Sequence, residues 1–123
     1  MMTRSASWAS CLPLVVLCSL AGFNPSVKAD TVSVTALLQT QCLSCHQVDR
    51  KRVGPPFQEI AQRYAQGDRQ AAAAYLERQI RQGSRGNWGA IPMPAQNRVS
   101  VEQARAIAAW LLELADTSTK ESP

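Results

Sequence analysis

Cys42-Leu43-Ser44-Cys45-His46 decides the reading of this chain. Two thiols three residues apart, followed at once by an imidazole, form the C-x-x-C-H pattern through which a c-type haem is attached. On a helical turn, residues three apart share one face, so both thiols reach the vinyl groups on one edge of a porphyrin. His46 then lies within reach of the iron as its proximal ligand. Plainer readings of the same residues compete. A dithiol redox motif needs a βαβ setting, and no strand alternation surrounds these cysteines. A zinc site needs four ligands, and Cys42, Cys45 and His46 supply three. Chance is answered by the helical context and by the segment upstream.

That upstream segment reads as an export leader. Arg4 supplies a positive start, and Leu12, Leu14, Val15, Val16, Leu17 and Leu20 form a short apolar run. Val27-Lys28-Ala29 offers a small-residue cleavage site before Asp30. Pro13 interrupts the run, which falls short of the roughly 20 residues that a spanning helix needs. Residues 1–29 are therefore expected to be a cleaved signal peptide, with no stable membrane insertion afterwards. Cys11 and Cys18 leave with it, so Cys42 and Cys45 are the cysteines of the mature chain. They stand too close together to staple a fold. A domain of this length is marginally able to bury its own core, and a bound cofactor is one remedy. The formal net charge of the full chain is +4, with no basic stripe interleaved with aromatics. A nucleic-acid partner has no support.

Four helical patterns follow one another. The first covers about residues 33–45, with Val34, Leu37, Leu38 and Gln41 on successive turns. The second follows Pro55-Pro56 and covers about 57–64, where Phe57, Ile60, Ala61 and Tyr64 recur at helical spacing. Asp68 is a good N-cap for the third, which runs to Gln82 with Tyr75, Leu76 and Ile80 as its apolar stripe; Gly83 is its stop. The fourth opens on a capping box formed by Ser100 and Gln103. Ala104, Ile107, Ala108, Leu111 and Ala115 share one face, with Trp110 and Leu114 on its edge. The tail at 116–123 is polar and is expected to be disordered. The fold class expected is all-α, with four short helices around one covalent haem, the terminal helices crossing and Leu37 near Trp110.

Gly83 to Val99 reads GSRGNWGAIPMPAQNRV, a long loop of the kind that tends to carry function. His46 is the chain's one histidine, and Met1 and Met2 leave with the leader, so Met93 is the methionine that remains. By elimination it is the second axial ligand. A thioether favours ferrous iron and raises the potential. Pro92 and Pro94 hold the backbone around Met93 extended and stiff. The plainer reading of Met93 is an ordinary core side chain.

CLSCH, RVGPPF, GSRGNWGAIPMP and the last helix with Trp110 together resemble the small bacterial class I cytochromes c. That family includes the soluble periplasmic type that donates electrons to dissimilatory nitrite reductase. The resemblance spans about residues 37–114 and makes residues 30–115 a cytochrome c domain. It implies that the carbonyl of Pro55 accepts a hydrogen bond from the proximal histidine, here His46. It also implies that the indole N–H of Trp88 reaches a haem propionate. The sequence departs from the family pattern twice. Gln79, with Arg78 and Arg81 beside it, stands where relatives place an arginine near a propionate. An extra residue after Met93 makes both Gln96 and Asn97 candidates to donate to its sulfur.

The expected cofactor is thus one haem c, bound through Cys42 and Cys45 and ligated by His46 and Met93. The expected role is a periplasmic one-electron carrier, not an enzyme. It would shuttle between a membrane quinol-oxidising complex and a terminal nitrite reductase, oxidase or peroxidase. The alternative is a haem enzyme or gas sensor with a labile sixth ligand. Arg50-Lys51-Arg52 is either a solvated loop or a rim that steers an acidic redox partner.

Overall fold

The computed structural model describes residues 33–120, so the proposed leader and its cleavage site lie outside the described residues. Ser33 opens the first element, its hydroxyl accepting from the Ala36 amide at 3.3 Å. Helix α1 spans Val34–Leu37 and then widens into a π-helical turn over Leu38–Cys42. There the Leu43 amide reaches back five residues to the Leu38 carbonyl at 2.9 Å. The expected α-helix over 33–45 is therefore corrected on two counts. Ser33 is its cap, and the helix gives way to a turn at Cys42. The Cys42 carbonyl accepts from both Cys45 and His46 amides, at 3.0 and 2.9 Å, which closes the thiol-bearing segment into one tight turn.

Helix α2 spans Phe57–Tyr64, α3 spans Arg69–Gln82 and α4 spans Val101–Lys120. The caps read from the sequence are present. Asp68 accepts from the amides of Gln70 and Ala71. Ser100 and Gln103 make the reciprocal pair of a capping box, at 2.9 and 3.2 Å. α2 starts differently. Pro56 at its N-cap has no side chain to offer, and the carbonyls of Gln47 and Val48 accept from the Phe57 and Gln58 amides instead. Those bonds tie the segment after the thiol turn to the start of α2.

α4 packs against α3, α2 and α1, so the terminal helices meet. Ala104, Ile107, Ala108, Leu111 and Ala115 are all buried, as their spacing requires. Leu112 is buried as well, at 1% exposure. A helix covered by three neighbours buries a wider arc than a single stripe. Leu37 and Trp110 both flank the core, to which Leu38, Phe57, Ile60, Leu76 and Ile80 also contribute. α4 continues through residues 116–120, where the expected tail begins; residues 121–123 lie outside the described part. Arg69 and Asp116 pair across α3 and α4 at 3.0 Å, and the Thr117 hydroxyl donates to the Leu114 carbonyl. No described helix is long and apolar enough to cross a membrane.

Candidate haem site

The site begins at the thiol turn. Cys42 and Cys45 are free thiols, both half-buried. Burial, and then the neighbouring Cys45, push the Cys42 thiol above its ordinary range. That is opposite to the lowered pKa that activates dithiol oxidoreductases.

His46 is buried, at 8% exposure. Its Nδ1 lies 2.7 Å from the Pro55 carbonyl oxygen. A carbonyl can only accept, so the proton sits on Nδ1 and the Nε2 lone pair is left available as a ligand. The ring stacks on Phe57, with centroids 5.3 Å apart and planes 16° from parallel. Phe57 in turn meets Trp110 of α4 edge-on at 5.3 Å. The His46 ring is thus tied to the core through two aromatic contacts.

Gly54 is a site residue that the sequence reading did not single out. A Cβ built on it would stand 2.5 Å from Cε1 of His46. The imidazole therefore lies against bare backbone, and no residue with a side chain fits there unless the ring moves. The available signal was its place directly before Pro55-Pro56.

Met93 comes to the same region from far along the chain. Its amide and carbonyl pair with Ser84 in an isolated antiparallel bridge, at 2.9 and 3.0 Å. Gly83 makes the bridge possible. Its φ is +78°, and a Cβ there would stand 2.5 Å from the Met93 carbonyl oxygen. So Gly83 ends α3, as expected, and also admits the Met93 strand.

One cleft joins these groups. About 1100 Å³ of space lies within it, open solvent at its mouth included. Cys42, Cys45 and His46 line it from the thiol turn, and Trp88 and Met93 from the long loop. Phe57 and Ile60 of α2, Leu76 and Ile80 of α3, and Ile107 and Leu111 of α4 supply apolar walls. Two thiols, an imidazole whose Nδ1 is turned to Pro55 and a thioether, set in apolar walls, form a donor set that suits a haem.

The two departures from the family pattern resolve in part. Gln79 lines the cleft, whereas Arg78 lies over the Tyr75 ring and Arg81 pairs with Glu77. The Gln96 side chain donates to the Pro94 carbonyl at 2.9 Å, and Asn97 is exposed. Trp88 is half-buried, with the Arg63 guanidinium 4.5 Å from its ring centre and Tyr64 edge-on at 6.4 Å.

Comparison with known proteins assigns the chain to a family. The family model for cytochrome c matches residues 33–115. Cytochrome c-551 of Pseudomonas denitrificans is 49% identical over 74 residues, which cover 59% of this chain and 85% of that protein. Cytochrome c-552 of Nitrosomonas europaea is 47% identical over 76 residues, covering 62% of this chain and 72% of that protein. The crystal structure of wild-type Nitrosomonas europaea cytochrome c552 superposes with a TM-score of 0.61 at 46% identity, covering 65% of this chain and 98% of that one. The chain therefore belongs to the cytochrome c family, as a small bacterial class I electron carrier with one covalently bound haem c.

Proposed function

We propose that this protein is a periplasmic one-electron carrier with His46 and Met93 as its axial ligands. The observation that carries the reading is that His46, with its proton committed to Pro55, and Met93, clamped to Ser84, line one apolar cleft. When bound there, the haem supplies a one-electron ferric/ferrous couple. Cys42 and Cys45 anchor it by thioether bonds. His46 presents Nε2, and the Pro55 carbonyl raises its basicity and fixes its ring. Met93 presents a soft sulfur that favours the reduced form. Trp88 stands in the cleft wall with an indole N–H suited to a propionate. With His46 and Met93 both held by the protein, the iron would have no open position for peroxide, oxygen or nitric oxide, which favours a carrier over an enzyme or sensor.

The partners proposed are a membrane quinol-oxidising complex as donor and a nitrite reductase, oxidase or peroxidase as acceptor. Arg50, Lys51 and Arg52 are exposed beside the exposed apolar residues Val48 and Val53. A basic rim around apolar surface suits steering of an acidic redox partner. The leader motif supports export. N-terminal sequencing of the purified protein should begin at or near Asp30; a mature chain that retains Cys11 and Cys18 would refute cleavage.

Met93→Ala tests the ligand assignment. The ferric parent should show the weak near-infrared band of a sulfur-to-iron bond. The variant should lose that band, show a lower potential and gain an open coordination site. An unchanged spectrum in Met93→Ala would refute the assignment and favour a haem enzyme or gas sensor with a labile sixth position.

A further inference from the structure

The loop that carries Met93 is held at more points than its bridge to Ser84. Asn87, between Ser84 and Met93, is bonded to two helices at once. Its carbonyl accepts from Nη1 of Arg63 on α2 at 2.9 Å. Its side-chain nitrogen donates to the Tyr75 hydroxyl at 3.0 Å and to Oε1 of Gln79 at 3.3 Å, both on α3. Arg63 makes a second contact with the loop, its guanidinium lying over the ring of Trp88 at 4.5 Å. Neither Asn87 nor Arg63 has a part in the haem site as proposed above. Asn87, Trp88 and Met93 nevertheless all line the cleft.

A Gly- and Pro-rich loop without regular structure belongs to the low-stability end of a domain and opens locally more often than its core does. Loop 84–93 can lift from the cleft only after the bonds at Asn87 and the contact between Arg63 and Trp88 break. We infer that Asn87 and Arg63 are positioning residues that latch this loop to α2 and α3 and so set how readily Met93 leaves the cleft. The consequence for iron rests on the ligand assignment of Met93; the latch itself does not.

Amide hydrogen exchange of the ferrous holoprotein separates the two. The Ser84 and Met93 amides bond each other's carbonyls across the base of the loop, so their exchange reports the parting of Met93 from the end of α3. In Asn87→Ala and in Arg63→Ala both amides should exchange about tenfold faster, the size expected for one or two net hydrogen bonds. The Leu112 amide in α4 should keep its parental rate. Arg63→Lys, which retains a cation and a donor, should recover part of the protection. Arg105→Ala, which breaks a bond to Glu77 outside the loop, should leave the loop amides unchanged. Parental exchange in Asn87→Ala overturns the latch. So does a rise shared equally with Leu112, because that is global loosening. Cyanide association with the ferric protein reads the consequence. It should accelerate with the exchange, and faster exchange with unchanged cyanide binding overturns the gating of Met93. A parent without the sulfur-to-iron band would refute the ligand assignment and leave the latch to be judged by exchange alone.

Discussion

His46 is confined on several sides, each by a different kind of contact. The Pro55 carbonyl accepts from its Nδ1–H, Phe57 stacks on its ring and the bare backbone of Gly54 lies against its edge. The Gly54 contact is the least forgiving, because a methyl group there would overlap Cε1 and the ring would lose its line to Pro55. Gly54→Ala should therefore destabilise the holoprotein by about 1–3 kcal/mol, the usual cost of forcing an extra carbon into a packed site. Guanidinium unfolding followed by haem absorbance measures it. A midpoint equal to the parent's would mean that the ring yields without cost. Burial, and then the neighbouring Cys45, push the Cys42 thiol above its ordinary range.

Helix ends carry much of the chain's local information. α4 begins with Ser100 bonded to the Gln103 amide, and the same hydroxyl donates to the Glu102 carboxylate at 3.0 Å. Glu102 is held below the ordinary carboxylate range by its own backbone amide first and the Ser100 hydroxyl second. A depressed pKa contributes stability above the unfolded value and loses it as pH falls through the folded one. Ser100→Ala should cost about 1 kcal/mol at neutral pH through the lost cap. It should also move the Glu102 titration up toward its ordinary value, so the acid-side loss attached to that group shrinks. An NMR titration of Glu102 in both proteins checks the direction; an unmoved Glu102 would show that the hydroxyl is not what depresses it. The π-helical turn over Leu38–Cys42 is the contrary case. It depends on a bond across five residues that no cap or breaker announces.

For the whole molecule, the haem completes a core that the helices only partly close. α4 lies against the other three helices, and the apolar side chains beneath it line the cleft on one side and the core on the other. A domain this small has little burial to spare. The double variant Cys42→Ala/Cys45→Ala should therefore do two things. Denaturing electrophoresis with haem staining should show no colour on the chain, where the parent keeps it. The variant freed of haem should also lose the sharp thermal transition of the parent, as circular dichroism would record. Retained colour would overturn thioether attachment, and an equally sharp transition would overturn the haem's part in the core.

Helices α2 and α3, the caps of α3 and α4 and the thiol pair were legible in the sequence, which also nominated His46 and Met93. Each rests on a signal within a few residues: an apolar period, a capping pair, C-x-x-C-H, proline on either side of one methionine. The roles proposed for Pro55 and Trp88 entered through the family pattern, since nothing local to either residue points to a ring nitrogen or a propionate. The rest depended on contacts between segments far apart in the chain. Gly54 matters because an imidazole eight residues earlier folds back onto it, and Leu112 is buried because three helices rather than one cover α4. Asn87 joins α2 to α3, and no local spacing encodes a bond to Arg63 and another to Tyr75. Sequence determined what could bind iron, because ligand chemistry belongs to single residues. The tertiary structure decided how those side chains are held, because the groups that hold them become neighbours only when the helices pack.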